Sequence, residues 1–292
     1  MKTFLKEIQT YIIIGVIALV AISILLVRIK NTQSSANVNL IEMVPSSATA
    51  FIRINNPNNM RKYILSDKNI KEAFKSEIPE VFLSIIQFIQ GNQSSLYSFH
   101  PQGIIFYAHV NEFQEKNIKE KILRPCFGSF APQSQKIAGT DIKYYAGKEN
   151  RFLGYYTKGG ILVASYSRKL LEETLVRQAG MINKELSNIV NEADKKAPFN
   201  LFIHSDLLNL YINLTDSTMW KLKDRWLSAD FFMNKNRLCY FSSLPYIKDI
   251  DSLYTPLADT LTLRIQSIFP QMRITSETNQ DNDKMLYTGR FE

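Results

Sequence analysis

The chain predicts an α+β protein carried on a membrane tether. Three observations lead there: one uncharged apolar run near the N-terminus, short β-patterned runs separated by glycine-containing turns, and helical segments that do not fall into regular parallel βαβ units. With 45% hydrophobic and 12% aromatic residues among 292, the remainder is a folded body and not a disordered tail. The expected order is a short cytoplasmic N-terminus (1–10), a transmembrane anchor (11–30), a polar stalk (31–43), a first α+β lobe (44–182) and a second (183–292). The body is expected to be a mixed or antiparallel sheet with packed helices, either two similar lobes or one continuous domain.

The anchor is the run YIIIGVIALVAISILLV over residues 11–27, without a single charge. Tyr11 leads it, Ile12, Ile13, Ile14, Val16 and Ile17 fill its first half, and Leu19, Val20, Ile22, Ile24, Leu25, Leu26 and Val27 fill the second. As a helix it is about 25 Å long against a hydrocarbon core of about 30 Å, and Arg28 and Lys30 can snorkel to make up the difference. A buried core helix is the bland alternative, and a run apolar on every face with cations at both ends, Lys2 and Lys6 before it and Arg28 and Lys30 after it, suits a membrane span better. A cleavable signal peptide is the rival reading, since Lys2 and Lys6 precede the apolar stretch. Arg28-Ile29-Lys30 stands where small residues should begin, so an uncleaved anchor is expected. The flanking cations nearly balance across the membrane, and the side is inferred instead from body length and from the uncharged Asn/Gln/Ser-rich stalk. The body is expected to lie outside the cytoplasm, at the cell membrane, in the periplasm if the source is a diderm bacterium.

Formal charge is +8, of which the first thirty residues hold +3 and the body +5. So diluted an excess argues against nucleic acid as a partner, and no glycine-rich phosphate loop suggests a nucleotide. The lysines at 68, 71 and 75 and the cations at 116, 119, 121 and 124 alternate with glutamates at helical spacing and read as solvated faces. Cys126 and Cys239 do not make a disulfide framework, and Cys239, within RLCYF, is expected to be a buried free thiol.

Along the body, residues 48–54 predict a strand, with Asn56 as N-cap and Pro57 as first residue of the following helix. Helices are predicted at 57–65 and 68–76. Residues 79–90 predict a third that is apolar nearly all round; such a helix belongs in a core, while the functional alternative is an apolar groove lined by Phe82, Ile85, Ile86 and Ile89. A strand follows at 103–110, then an amphipathic helix at 114–123 stopped by Pro125. Strand pairs are predicted at 136–138 with 142–146 and at 152–157 with 161–166, around turns containing Gly139 and Gly159-Gly160. Ser167 caps a helix ending near Gly180, and 184–196 is a polar helix. The stretch FNLFIHSDLLNLYINL then resembles FIRINNPNNMRKYI, a strand ending in a polar helix cap, as in a diverged internal repeat. Strands are predicted at 226–233, 237–242, 261–268, 272–278 and 284–291, with a loop at 279–283.

Chemistry is hard to find in this chain. His100, His109 and His204 are the only histidines, and none has metal-ligand spacing, so no metal or cofactor is expected. No nucleophile elbow is present, and Ser205 and Asp206 beside His204 suit a helix cap better than a triad. Glu172/Glu173 and Asp249/Asp251 read as exposed charges, and NQDND at 279–283 lacks the glycine and terminal glutamate of a calcium loop.

The anchor and stalk, the opening VPSSATAFIRINN and the later GGILVASYSRKLLEETL together resemble a family of uncharacterised bacterial envelope proteins with one membrane helix and a large α+β body. The resemblance implies a fold and a location but no catalytic residues. The expected function is therefore binding or structural, with the lipid bilayer met through the anchor and an envelope protein as partner. Two alternatives stay open: an apolar-ligand or lipid carrier using residues 79–90, and a hydrolase whose dispersed site uses His109 or His204.

Overall fold

The computed structural model describes residues 39–64, 78–89, 93–128, 131–147, 151–176, 184–204, 226–234, 237–245, 274–281 and 284–291, with Ser23, Lys68, Lys71 and Lys75 as isolated positions. The anchor run at 11–27 lies outside the described residues apart from Ser23, which is helical and exposed. Among the described residues no helix is long and apolar enough to cross a membrane. The strand expected at 261–268 and the helix expected after His204 also lie outside them.

The body is α+β. Its described strands are β1 (Ala50–Ile54), β2 (Ser95–His100), β3 (Gly103–His109), β4 (Gln133–Ile137), β5 (Thr140–Ala146), β6 (Phe152–Lys158), β7 (Ile161–Ser165), β8 (Phe199–His204), β9 (Trp226–Asn234), β10 (Arg237–Pro245), β11 (Ile274–Asp281) and β12 (Lys284–Phe291). All join one antiparallel sheet in the order β11-β12-β10-β9-β8-β1-β2-β3-β7-β6-β5-β4. Each half opens with a three-strand meander, β1-β2-β3 or β8-β9-β10. The last strand of each half, β7 or β12, returns beside the third, and the strand before it, β6 or β11, lies outside that. The halves meet where β1 pairs with β8, Phe51 opposite Phe202, with the two rings stacked at 4.6 Å.

Alternation along the strands sends neighbouring side chains to opposite faces, and both faces are covered. Ala50, Ile52 and Ile54 of β1 join one core with Tyr97, Phe106 and Phe82, while Phe51 joins another with Leu96, Ile105, Tyr107 and Phe202. The first face is covered by α2 (Glu80–Ile86) and by a helix running through α3 (Glu112–Ile118), a π turn (Lys119–Leu123) and a last turn (Arg124–Phe127). The second is covered by the 3-10 turn Leu40–Met43, α4 (Arg168–Val176) and α5 (Lys184–Glu192). A sheet covered on both sides needs strands that are apolar at nearly every position, which accounts for runs such as GIIFYAH and ILVAS.

Local signals set several boundaries. Asn56 accepts the Asn59 N–H at 3.0 Å, and Pro57 opens α1 (Pro57–Asn59), which continues as a π turn (Met60–Ile64). Ala138 and Gly139, then Gly159 and Gly160, all hold positive φ, so two-residue turns join β4 to β5 and β6 to β7.

Several expectations are corrected. The helix predicted at 114–123 starts at Glu112, because Asn111 and Gln114 cap one another reciprocally, and it runs through Pro125 to Phe127. A π turn widens the backbone ahead of Pro125, where the ring would otherwise meet the carbonyl four residues back. The loop expected at 279–283 is shorter, since β11 continues to Asp281. β2, a central strand, has no counterpart in the sequence reading. Its Ser95 and Ser98 give SLYSFH a half-polar look, yet both serines are fully buried. Finally, Leu40 and Ile41, assigned to the polar stalk, are buried in the core of the second face.

Candidate functional site

A cleft of about 590 Å³ opens beside β1–β3, where the turn after Asn39 and the end of α5 meet the first half of the sheet. It is built from three parts of the chain. The turn after Asn39 supplies one wall, the ends of β1, β2 and β3 supply Arg53, Asn55, Asn56, Ser94 and His109, and the end of α5 supplies Asn191, Lys195 and Lys196. Lysines 195 and 196 are exposed at the rim, and His109 is buried in the floor. Among the described residues that line it there is no carboxylate.

The wall around Arg53 is held by a polar network that strand register assembles. Arg53 lies opposite Asn200, and Asn200 lies opposite Asp230, so one row across β1, β8 and β9 carries an arginine, an amide and a carboxylate. The Arg53 Nε and Nη2 donate to Asn200 Oδ1 at 3.0 and 2.8 Å, Nη1 donates to the Val190 carbonyl at 3.1 Å, and Nη2 also reaches the Ala193 carbonyl at 3.5 Å. Asn200 Nδ2 donates to Asp230 Oδ1 at 2.6 Å, and the backbone N–H of Asp194 donates to Asp230 Oδ2 at 3.1 Å. Asn55 Nδ2 donates to the Ala197 carbonyl at 2.9 Å and to Asn200 Oδ1 at 2.6 Å. The guanidinium also sits 5.4 Å from the centre of the Phe202 ring.

Burial sets the charge states here. It lowers the Arg53 pKa from its ordinary value, with the Asp230 charge pulling it back up. It raises the Asp230 pKa, against the hydrogen bonds from Asp194 and Asn200 and the nearby Arg53 charge. An arginine stays protonated through such a shift. The network thus presents a positively charged group locked in place by at least three carbonyl acceptors, with its balancing carboxylate behind it and outside the cleft.

The other residues singled out from the sequence fall elsewhere. Phe82, Ile85, Ile86 and Ile89 are 0%, 1%, 0% and 0% exposed, packed with Tyr97 and Phe106, so they form core and not the apolar groove. Phe82 stacks on Phe106 at 5.5 Å. His100 has both ring nitrogens beside serine hydroxyls, Ser47 at 2.9 Å and Ser98 at 2.8 Å, which fixes its ring. His204 packs edge-on to Trp226 at 5.1 Å. Of the two histidines weighed for a dispersed hydrolase site, His109 lines this cleft beside Ser94 and Ser95, and His204 is not part of its lining. Glu172 pairs with Arg168 at 2.7 Å on the surface. Cys126 is exposed and Cys239 is half-buried, short of the full burial expected for it, and the two are not bridged. Among the described residues no group of three or more His, Cys, Asp or Glu could hold a metal ion.

The cleft residues Arg53, Asn55, Asn56, Lys195 and Lys196 were not legible as a site. The usable signal was a polar residue inside an apolar strand, recurring in AFIRI, FNLFIH and WLSADFFMN. An isolated charge in such a strand requires a partner in the fold.

No protein-family model matches the chain, and no curated protein matches it. Three solved structures, of crystal forms I, III and IV of TP0453, resemble it at 11%, 14% and 12% identity with TM-scores of 0.48, 0.45 and 0.45. Each covers 87% of this chain, and 94%, 94% and 93% of the respective structures are matched.

Proposed function

We propose that this is a single-pass, membrane-anchored protein whose α+β body lies outside the cytoplasm and works by binding. The reading is carried by where the tether enters the body. Residues 39–41, the first described residues after the anchor segment, form a wall of the cleft. Between Lys30 and Asn39 stand residues 31–38, which span at most about 30 Å when extended. A helix over 11–27 would therefore hold the cleft close to the bilayer surface, facing whatever is presented there. The uncharged run, too long and too apolar on all sides for a surface helix, supports the anchor, and the uncharged stalk and long body support translocation.

The test is protease shaving of intact cells whose outer layer has been permeabilised, with the full chain detected by an antibody to its body. The expected result is digestion of the body together with a known exported control. A body that survives while the control is degraded overturns the reading.

A further inference from the structure

We propose that the cleft between the β1–β3 region and the end of α5 binds a small polar molecule through an oxyanion group, phosphate or carboxylate. This deepens the binding reading above and rests on it for biological context, although the chemistry is carried by the cleft alone. Its volume of about 590 Å³ falls in the range of small-molecule sites. Its donors are unusually one-sided. Arg53, Lys195 and Lys196 are cationic, and Asn39, Asn56, Asn191 and Ser94 can donate N–H or O–H, while no lining carboxylate among the described residues repels an anion.

The positive charge is of two kinds. Arg53 is held rigidly by the Asn200 amide and by the carbonyls of Val190 and Ala193, so it supplies a fixed field with no ordering cost on binding. Four hydrogen bonds occupy four of its five N–H groups, leaving one on Nη1 without a partner among the described residues. Lys195 and Lys196 are exposed, follow the end of α5 and can close on a ligand from the rim. Asp194 is turned away from this role, because its Oδ1 accepts the backbone N–H of Lys196 at 2.8 Å and its own N–H is held by Asp230. The apolar part of the lining, Leu40, Ile41, Leu96 and Val190, belongs to the buried core and gives the cleft a low-dielectric back that strengthens charge-assisted hydrogen bonds.

The same phosphate chemistry is offered by a free metabolite and by a lipid headgroup, and the experiment separates them. The full chain is reconstituted in nanodiscs of phosphatidylcholine and titrated calorimetrically with glycerol 3-phosphate, with citrate and with neutral glycerol. Both anions are expected to bind and glycerol not. The double variant Lys195→Glu/Lys196→Glu is expected to weaken both anions at least tenfold, and Asn191→Asp severalfold. These three residues are exposed, so unchanged melting temperatures distinguish loss of the site from loss of the fold. Repeating the titration in phosphatidylglycerol nanodiscs identifies the source: competition by the headgroup lowers apparent glycerol 3-phosphate affinity if a lipid occupies the cleft, and unchanged affinity assigns it to a soluble ligand. Absence of binding by both anions, equal binding of glycerol, or full-strength binding by the charge-reversed variant overturns the proposal. Protease shaving reads the tether independently, so failure of one does not mimic failure of the other.

Discussion

At the scale of single residues, the fold holds polar groups of opposite kinds: some fully partnered, some buried with none. Tyr97 is fully buried, and its hydroxyl has no hydrogen-bond partner among the described residues; burial raises its pKa well above the ordinary value. The ring is needed, since it packs on Phe106 at 5.0 Å and Phe82 at 6.4 Å, but the hydroxyl is a desolvated group without return. Tyr97→Phe is therefore expected to leave stability unchanged or raise it by about 1 kcal/mol, read from denaturant melts; a loss of that size would mean the hydroxyl is satisfied after all. Asp230 behaves differently, because both its oxygens accept hydrogen bonds that an amide could match only on one side. Asp230→Asn is expected to destabilise by about 1–3 kcal/mol. Since burial places the Asp230 pKa above its ordinary value, the folded state holds that proton more tightly than the unfolded chain does. Its contribution to stability is thus greatest in acid and falls as pH rises from about 4 toward the raised pKa. Melts of wild type and variant from acid to neutral pH should show their gap narrowing over that window, and a widening gap would contradict the assignment.

At the scale of elements, close contact between sheet and helix decides where size matters. Gly154 in β6 lies under α4, and a Cβ there would meet Leu171 Cδ1 and, at 2.9 Å, Tyr144 Cε1. Leu171 is fully buried and cannot withdraw. Gly154→Ala is expected to cost about 1–3 kcal/mol through overpacking, measured as a shift in denaturation midpoint. Elements whose cause is local were readable in advance: Asn56-Pro57 opens its helix, and Gly159-Gly160 turns its hairpin, as their chemistry demands. Elements whose cause is tertiary were not. β2 reads as half-polar, and only the burial of Ser98 against His100, and of Ser95 between β1 and β3, makes it a central strand. Pro125 likewise looked like a stop, and the wider turn before it let the helix continue.

At the scale of the whole molecule, the sheet is one object, and its far edge is coupled to its centre. β12 lies between β10 and β11, pairing with both over its length. Removing the last eight residues, 285–292, takes out all but the first residue of β12, which strips β10 of one neighbour and β11 of its only described strand partner. Such a truncation is expected to lower the melting temperature markedly and reduce the strand signal in circular dichroism, whereas an unchanged melting temperature would show the second half to be dispensable. Among the described residues, five strands of each half follow one order, 1-2-3-7-6 and 8-9-10-12-11, and the first half adds β5 and β4 at its edge. By itself the sequence determined what depends on neighbours along the chain: the apolar run, the caps, the turns, the α+β class and the apolar character of 79–90. Only the tertiary structure decided which of these face one another. Arg53, Asn200 and Asp230 lie on three separate strands, and although each stands out locally as a polar residue in an apolar run, nothing local says that they face one another. Antiparallel register places them in one row, and the end of α5 closes over that row to make a cleft. Electrostatic and hydrogen-bonding groups act over a few ångströms, so a site assembled from remote segments exists only once the fold has brought them within that range.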